Sequence, residues 1–354
     1  MRVVYFGTYE RRYPRNAQVI SCLRRADVEV VERQEPVWEE REQKWGAGLG
    51  VVPRLALAQA RLLWRPRADG QAIIVGYPGH LDLPAARRAA GKRPVIFNPL
   101  VSLVDTLVGD RRRFRRGSLP ARLLAEIDRR ALRAADLVVA DTQANADFLA
   151  ELAGLPPERI GVCFVGAEEG VFRPGWAPEE PFTAVFVGKL IPLHGLETIL
   201  AAARLAPELR LRIIGSGQLG SLLESRSANV DWVPWVDYEQ LPGELRRAGC
   251  ALGIFGASDK ARRVIPNKAF QALACGVPLV TADSPGAREL LSDGQNALLV
   301  PPGDPAALAE ALRRLADDPA LARRLGGAGL ATFRDRASED ILGERWRSLI
   351  EALL

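Results

Sequence analysis

The segment GKLIPLHG (188–195) combines glycines and cations between an apolar run and a helical one. Gly188 and Gly195 free the backbone to approach a ligand, while Lys189 and His194 place positive charge beside the start of a helix. Helix N-termini and nearby cations bind anions, so the segment predicts a pyrophosphate site. The alternative is a lysine in solvent and a histidine that caps a loop.

A second group of cations lies in the run from Gly253 to Pro278. Asn267 is placed to cap the helix KAFQALA, whose first amides would then face a ligand. A helix N-terminus with adjacent cations is an anion site, whereas the alternative is a solvated basic loop. The charged side chains of this run are Lys260, Arg262, Arg263 and Lys268.

The segment GSGQLG (215–220) fits the GxGxxG pattern of dinucleotide-binding loops, which would make the chain an oxidoreductase. It lies in the second strand–helix unit of its half rather than the first, and no acidic residue ends the next strand. We therefore favour a tight turn, in which Gly215 and Gly217 let the backbone approach a ligand phosphate or another element.

Strands and helical stretches alternate through almost the whole sequence. This alternation implies βα units, a mostly parallel sheet and helices on both faces. Ligands of such sheets bind beyond the C-terminal strand ends, where the candidate residues cluster. The predicted strands are RVVYFG (2–7), VEVVER (28–33), AIIVGY (72–77), PVIFN (94–98), DLVVA (136–140), IGVCFV (160–165), TAVFVG (183–188), LRIIG (211–215), NVDWV (229–233), ALGIF (251–255), PLVTA (278–282) and ALLV (297–300).

A segment rich in proline and glycine interrupts the alternation at 174–181 and predicts an interdomain linker. The length of 354 residues, with 48% hydrophobic and 26% charged residues, fits two domains of ordinary size. We expect an α/β protein with two facing Rossmann-like, doubly wound domains, at 1–173 and 182–338. The last helical stretch, 339–354, could pack back against the first domain.

Several segments of the second half together resemble the donor-binding domain of family 4 glycosyltransferases. The resemblance covers roughly residues 183–315, and these segments carry it: GKLIPLHGLETIL, IIGSGQ, VIPNKAFQALACGVPLVTADSPGARELL and NALLVPPGDPAALAEAL. It implies the GT-B architecture of two facing Rossmann-like domains, a nucleotide-sugar donor, no cofactor and no required metal. It also implies retention of the anomeric configuration, with a glycan, lipid-linked or small-molecule acceptor.

The resemblance also assigns donor contacts by position. Lys189 stands where the family has an arginine that binds the diphosphate, and His194 stands where it usually has a lysine. Two glutamates of the family are replaced by Arg263 and Gln271. Gln271 can still accept a hydrogen bond from a ribose hydroxyl, but Arg263 cannot accept one from the sugar.

The departure at Arg263 leaves three possibilities open. Another residue such as Asp259 takes the sugar, or the sugar carries an anion, or the chemistry is lost and a nucleotide-sugar-binding protein remains. Near the diphosphate, Pro266 removes a backbone amide that the family uses, and Lys268 can replace it with a full charge. The predicted leaving-group contacts are Lys189, His194, Asn267 and Lys268.

Polar residues that follow strands of the first half are candidates for the acceptor side. Family precedent places a histidine near the sugar, which suggests His80, although a loop histidine bonded to the backbone is the alternative. Asp105 could bind or deprotonate an acceptor, which would suit inversion, or it could cap a helix. Arg15 and Asn16 lie after the first strand, where Arg15 could contact an acceptor phosphate.

Composition limits the partners. The net charge is +5 and the pI about 9.2, mostly through arginines that we assign to solvated faces, and no nucleic-acid-binding motif accompanies them. Two histidines, and four cysteines without CxxC spacing, exclude a histidine-rich metal site. Without an apolar run of membrane-spanning length, we expect a cytoplasmic protein. The stretch VPRLALAQARLLWRPR (52–67) could rest on an anionic membrane, although a helix packed on its own domain is the alternative.

Overall fold

The computed structural model describes residues 1–38, 50, 52–64 and 69–354. These residues divide into two compact units: unit 1 comprises Met1–Phe164 and Glu339–Leu354, and unit 2 comprises Val165–Ser338. The described residues of each unit form one six-stranded sheet in which every pairing is parallel. The predicted α/β class with two Rossmann-like sheets is therefore confirmed.

Unit 1 has the strand order β2-β1-β3-β4-β5-β6, so the order reverses between β1 and β3. A π-helical turn at Asp105–Asp110 separates β4 from α4. The elements of unit 1 are β1 (Arg2–Gly7), α1 (Pro14–Arg25), β2 (Glu29–Gln34), α2 (Val52–Trp64), β3 (Ala72–Val75), α3 (Leu83–Ala90), β4 (Val95–Phe97), α4 (Leu119–Ala134), β5 (Leu137–Ala140), α5 (Gln143–Ala153), β6 (Ile160–Val162) and the last helix, α13 (Glu339–Glu351).

Unit 2 has the strand order β12-β11-β10-β7-β8-β9, so its order reverses between β7 and β10. In open parallel sheets this switch point opens a crevice at the carboxyl ends of the strands. The elements of unit 2 are β7 (Thr183–Val187), α6 (Leu196–Leu205), β8 (Arg210–Ile214), β9 (Val230–Val233), α7 (Leu241–Arg246), β10 (Cys250–Leu252), α8 (Asp259–Arg263), α9 (Asn267–Cys275), β11 (Leu279–Ala282), α10 (Pro285–Arg288), β12 (Leu298–Val300), α11 (Pro305–Asp317) and α12 (Pro319–Arg336).

The central strands are apolar because helices cover both of their faces. Every residue of β3 (AIIV) and of β11 (LVTA) is buried, which is the pattern of an interior parallel strand. Side-chain caps fix several helix starts: Thr142 accepts from the amide of Asn145 at α5, and Asp304 accepts from two amides at α11. The local signals and the tertiary burial therefore agree.

The final helix, α13, packs on unit 1. Trp346 is 1% exposed in the core that α1 shares with this helix, and a Cβ on Gly343 would lie 2.3 Å from the carbonyl oxygen of Cys22. Close approach of α1 and α13 therefore depends on this glycine. No helix within the described ranges is both long and apolar enough to cross a bilayer.

The segment before β7 packs on unit 2. Trp176 donates from Nε1 to the carbonyl oxygen of Ala248 at 2.7 Å, and the amide of Ala177 donates to Arg246 at 2.9 Å. The division between the units falls after Phe164, so residues 165–173 belong by their contacts to unit 2. The segment 174–181, which we predicted as a linker, is thus anchored to one unit along its length.

Candidate functional site

The loops that follow β7 and β8 pack backbone against backbone. A Cβ on Gly215 would lie 2.0 Å from the carbonyl oxygen of Gly188, and a Cβ on Gly217 would lie 2.8 Å from that of Leu190. Both glycines have φ above +140°, which side chains rarely adopt. A 3₁₀ helix, Gly220–Ser225, follows them instead of an α-helix. The GxGxxG pattern therefore reflects loop packing, which argues against the dinucleotide-binding alternative.

The ammonium group of Lys268 lies against the exposed face of Gly188. A Cβ on Gly188 would lie 2.8 Å from Lys268 Nζ and 3.4 Å from His194 Cε1. Lys268 Nζ also lies 3.6 Å from the ring centroid of Phe186, a cation–π distance. Three elements thus converge on one small surface at the end of β7, where only a residue without a side chain leaves room.

Lys268 is buried without a hydrogen-bond partner. Its side chain is 7% exposed, and within the described residues its Nζ makes no hydrogen bond. Burial lowers the pKa of Lys268 well below the ordinary lysine value of 10.5. An uncompensated buried amine is unfavourable, so its position beside Gly188 indicates an anion that would pair with it.

His194 is held in place by the same loop. It ends a 3₁₀ turn, is 9% exposed, and its Nδ1 lies within hydrogen-bond distance of the carbonyl oxygen of Lys189. Gly195 follows with φ +69°, and a Cβ there would lie 2.5 Å from the backbone of Phe255. The side chain of Lys189 is exposed beside the site. The segment 188–195, which we predicted as a pyrophosphate site, is therefore a folded loop around Gly188.

Helix α9 begins one residue earlier than the expected cap implies. Pro266 is the N-cap, with φ −71° and ψ 150°, and its carbonyl accepts from the amide of Ala269. Asn267 is the first helical residue, so its predicted role as N-cap was wrong, because proline already supplies the extended conformation before the helix. The first amides of α9, including that of Lys268, have no acceptor within the helix and add partial positive charge to the site.

The two positions that replace the family glutamates lie in different surroundings. Arg263 ends α8 and is half-buried, and its backbone packs on helix α10 at Gly286, where a Cβ would lie 2.6 Å from the Arg263 carbonyl carbon. Gln271 is 7% exposed on α9. Lys268 and Gln271 are three residues apart, so they share a face of α9.

In unit 1, His80 is enclosed by acceptors. It is 7% exposed, its Nε2 lies 3.3 Å from Asp128 Oδ1, and its Nδ1 lies within hydrogen-bond distance of the carbonyl oxygen of Pro78. Burial lowers the pKa of His80, and the Asp128 carboxylate opposes that shift. Through these two contacts the His80 ring stabilises the loop that carries it. The backbone-bonded alternative that we kept open for His80 describes this geometry.

Asp128 is a buried partner of His80 that the sequence reasoning missed. It is fully buried on α4 and accepts hydrogen bonds from the amides of Leu103 and Val104 at 2.8 and 2.9 Å. Asp105 itself is half-buried in the first π-helical turn, whose N-cap position is Val104. An aspartate on the buried face of an amphipathic helix was the available signal.

Arg15 and Asn16 require a correction, because both are fully buried in unit 1. Arg15 donates from Nε to Asn98 Oδ1 at 3.0 Å and from Nη1 to the carbonyl oxygen of Phe164 at 2.8 Å. Its guanidinium also lies 5.8 Å from the centroid of the Trp346 ring. Both residues lie in the first turn of α1, which directs their side chains into the interior of unit 1.

Gly188, His194 and Lys268 form a surface, here called the cationic surface, at the switch point of the unit 2 sheet. Gly188 directly follows β7, and α9 comes after β10 and α8, where β10 is the strand beside β7. Of the predicted donor contacts, the fold brings Gly188, His194 and Lys268 together. Among the described residues, no three His, Cys, Asp or Glu side chains gather as they would around a metal ion.

Part of the chain is similar to a known family. Residues 181–318, which include the whole cationic surface, match the family described as Glycosyl transferases group 1. A D-inositol 3-phosphate glycosyltransferase of Nocardioides sp. is 31% identical over 248 residues, covering 60% of this chain and 53% of the relative. The chain thus spans about half the length of the curated relatives it matches.

Solved structures share the fold over the full chain. Anabaena HepE, in complex with UDP-glucose, superposes with a TM-score of 0.72 and 16% identity, covering 100% of both chains. Sucrose-phosphate synthase from Thermosynechococcus elongatus superposes with a TM-score of 0.76 and 17% identity, covering 99% of this chain and 98% of the other. The chain therefore has the GT-B fold, and residues 181–318 of its second half are similar to Glycosyl transferases group 1.

Proposed function

We propose that the protein is a glycosyltransferase that moves a sugar from a nucleoside-diphosphate sugar to an acceptor hydroxyl. One observation carries the proposal: Lys268 Nζ is buried, has no hydrogen-bond partner in the described chain, and faces Gly188 beside His194. A diphosphate oxygen against Gly188 would give this amine its acceptor. The match of 181–318 to Glycosyl transferases group 1 supports the same activity.

The proposed reaction proceeds with retention, as the family 4 resemblance implies. The bond from the anomeric carbon to the diphosphate oxygen breaks, and the acceptor oxygen bonds to that carbon on the same face. The acceptor proton passes to the departing phosphate oxygen, so neither His80 nor Asp105 has to act as base. Lys268, His194, Lys189 and the N-terminus of α9 stabilise the charge on the leaving diphosphate without a metal or cofactor.

A nucleotide-sugar-binding protein without turnover is the second candidate. Its support is the replacement of the two family glutamates by Arg263 and Gln271. Both candidates predict nucleotide binding, and they differ in chemistry. Release of nucleoside diphosphate from a donor, with or without an acceptor, supports the enzyme; tight binding with no release over a panel of donors supports the second candidate.

A thermal-shift screen tests the proposed site directly. The chain is melted with UDP, GDP, ADP and inorganic pyrophosphate, each at increasing concentration. Ligand at about 100 times its Kd should stabilise the folded chain by about 2.7 kcal/mol and raise Tm by several degrees. If neither pyrophosphate nor any nucleotide moves Tm, the anion site at Gly188 does not exist and the proposal is lost.

The acceptor is the least specified substrate. Relatives that match more than half of the chain are named for D-inositol 3-phosphate, so phosphorylated polyols are the first acceptors to assay with each donor that binds. The burial of Arg15 removes the residue first assigned to an acceptor phosphate. Glycan and lipid-linked acceptors complete the panel.

Unit 1 also carries a surface suited to an anionic membrane at the cytoplasmic face. Exposed arginines at 112, 113, 115 and 116 precede α4, whose Leu119 and Leu123 are 80% and 62% exposed. Apolar side chains beside a basic run favour insertion into an anionic interface. Helix α2, the earlier candidate, packs inward through Ala58 and Leu62, and residues 65–67 of that stretch lie outside the described residues.

Vesicle sedimentation tests this membrane contact. Wild-type chain should pellet with phosphatidylserine-containing vesicles at low salt but not with phosphatidylcholine alone. Replacing both leucines by aspartate, Leu119→Asp with Leu123→Asp, should reduce binding about tenfold. Leu205→Asp, at a 49% exposed leucine of unit 2, is the matched control. Equal pelleting of all variants would contradict an insertion through α4.

A further inference from the structure

A groove on unit 1 lies between α1 and the edge strand β2. It encloses about 410 Å³, which is within the range of about 300–1,000 Å³ that is typical of small-molecule sites. Three arginines line it: Arg11 lies just before α1, and Arg24 and Arg25 lie in the last turn of that helix. The groove contains none of the residues assigned to the sugar donor, so it requires an explanation of its own.

Glu32, on β2, holds two of the three guanidinium groups. Its Oε2 accepts from Arg11 Nε at 2.7 Å, and its Oε1 accepts from Arg24 Nη2 at 3.0 Å. The hydroxyl of Tyr9, a fully buried residue, donates to Glu32 Oε2 at 3.0 Å and fixes the carboxylate from the interior. Partial burial acts to raise the pKa of Glu32, but these hydrogen bonds lower it overall, so the carboxylate stays charged. Both guanidinium groups are therefore positioned before any ligand binds.

Arg25 is engaged differently. It donates from Nε to Asp340 Oδ1 at 2.7 Å and from Nη1 to Glu339 Oε2 at 3.1 Å, and both acceptors lie on α13. Arg25 thus joins two helices and forms a wall of the groove. Arg11 and Arg24 instead share one carboxylate, so the charge of these three groups together is positive.

A pair of positioned guanidinium groups suits a phosphate. The planar fork of an arginine binds phosphate oxygens through parallel N–H bonds, and such charge-assisted bonds are the stronger ones in proteins. A guanidinium carries five N–H donors, so a group that is bonded to Glu32 through one nitrogen can still bond a ligand through others.

The remaining lining suits the organic part of such a ligand. Ser21 supplies a hydroxyl that can donate and accept, and Ile20 supplies an apolar floor beneath it. A phosphate contact, a hydroxyl contact and a short apolar surface together fit the phosphate ester of a sugar or a small polyol.

We propose that this groove is a second anion site, which binds the phosphate monoester of a sugar or polyol through Arg11 and Arg24. The inference goes beyond the proposed function, because the groove lies in unit 1 and the donor contacts lie in unit 2. The competing explanation is a set of surface ion pairs that bind no ligand and contribute little to stability. Only a site predicts saturable binding that depends on both the charge of the groove and the room in it.

Calorimetry on the Lys268→Met chain isolates the groove, because this substitution removes the amine proposed to bind anions in unit 2. The probes are glucose 6-phosphate, glycerol 3-phosphate and inorganic phosphate, in about 0.15 M salt to screen general attraction to exposed charges. At least one ester should bind with 1:1 stoichiometry and a Kd of about 1 mM or lower. Adding Arg11→Met or Arg24→Met should weaken that binding about tenfold or more, since each removes charge-assisted hydrogen bonds.

Two further substitutions serve as a control and a test of shape. Arg12→Met makes the same charge change at the neighbouring exposed arginine and should leave the affinity unchanged. Ser21→Phe fills the groove without any change of charge and should abolish binding, with thermal melts to show that each variant is folded. Unchanged affinity in both Arg11→Met and Arg24→Met, or in Ser21→Phe, overturns the proposal. Binding of every ester by the wild type alone, with none by the Lys268→Met chain, also overturns it, because the anion would then occupy the cationic surface of unit 2.

Discussion

The buried polar groups at the switch points of the two sheets differ in whether they are hydrogen-bonded. In unit 1, between β1 and β3, the Asp82 carboxylate accepts from the amide and hydroxyl of Thr8 at 2.7 and 3.1 Å. Asn16 uses its amide oxygen and nitrogen together, accepting from Tyr5 Oη and donating to the carbonyl oxygen of Tyr77. In unit 2, Lys268 Nζ occupies the equivalent crevice without donating a hydrogen bond to any described residue.

The difference separates a crevice whose polar groups are hydrogen-bonded from one that we propose binds an anion. Polar groups that complete one another rigidify the fold and leave little capacity for a ligand. A buried cation that lacks its partner destabilises the ligand-free chain and is compensated only when an anion binds. The fold is common to both units, so the satisfaction of buried polar groups, rather than topology, indicates which crevice binds.

Lys268→Met tests the binding crevice and should have the largest effect. Methionine keeps the apolar stem over Phe186 but removes the charge, so UDP or pyrophosphate affinity should fall about 100-fold or more, which is ~2.7 kcal/mol. The ligand-free chain should become more stable by roughly 1 kcal/mol, because an unpaired buried amine is gone. Calorimetry and thermal melts measure the two quantities.

Lys92→Met, at an exposed lysine of unit 1, is the control and should change neither quantity. A Lys268→Met chain that binds pyrophosphate like the wild type would contradict the assignment of the anion to this crevice. A large loss of ligand-free stability would show instead that Lys268 has a structural partner.

Arg15→Met tests the structural crevice. The guanidinium is fully buried among acceptors and lies beside Trp346, so its loss should lower the free energy of unfolding by about 3 kcal/mol. Affinity for UDP and the KM for any acceptor should stay near wild-type values. Arg12→Met, at an exposed arginine of the same loop, should leave stability within about 0.5 kcal/mol. An Arg15→Met chain with a wild-type Tm but a raised KM for the acceptor would instead support a role for Arg15 in acceptor binding.

Proton uptake on binding is the smallest expected effect and sharpens the comparison further. Burial lowers the pKa of Lys268, and a bound diphosphate would raise it again by pairing with the ammonium. At a pH above the lowered value and below about 10.5, binding should therefore take up about one proton, and affinity should fall as pH rises.

Calorimetry in two buffers of different ionisation enthalpy measures this proton. At about pH 8.5 the phosphate groups, with a pKa of about 6, are already deprotonated, so uptake reports on the protein. Binding at that pH without any proton exchange would mean that Lys268 is charged before the ligand arrives.

The strands and their order of succession were predictable because parallel strands are apolar on both faces. Runs such as AIIV and LVTA are typical of buried parallel strands, and β3 and β11 coincide with them. The segment 188–195 was predictable as an anion loop because glycine and cations precede a helix. The N-cap of α9 was misplaced by one residue, since the preference of asparagine for caps had to compete with a proline beside it.

The directions of the polar side chains were not predictable. Arg15 and Asp128 look like ordinary charges of amphipathic helices, and only the meeting of α1 with α13, and of α4 with the loop before it, buries them. Tyr9 and Arg24 both donate to Glu32, which lies 23 and 8 residues further along the chain, and no local pattern relates the three.

The sequence by itself determined the two parallel sheets, the glycine loops at their edges and the cations near the second sheet, because hydrophobic periodicity and backbone preference act over short stretches. Only the tertiary structure decided which polar groups are satisfied. Hydrogen bonding of a buried side chain depends on partners that are distant in the chain. A residue of the same type can therefore stabilise the crevice of one unit through its hydrogen bonds, or lack a partner in the crevice of the other unit until a ligand binds.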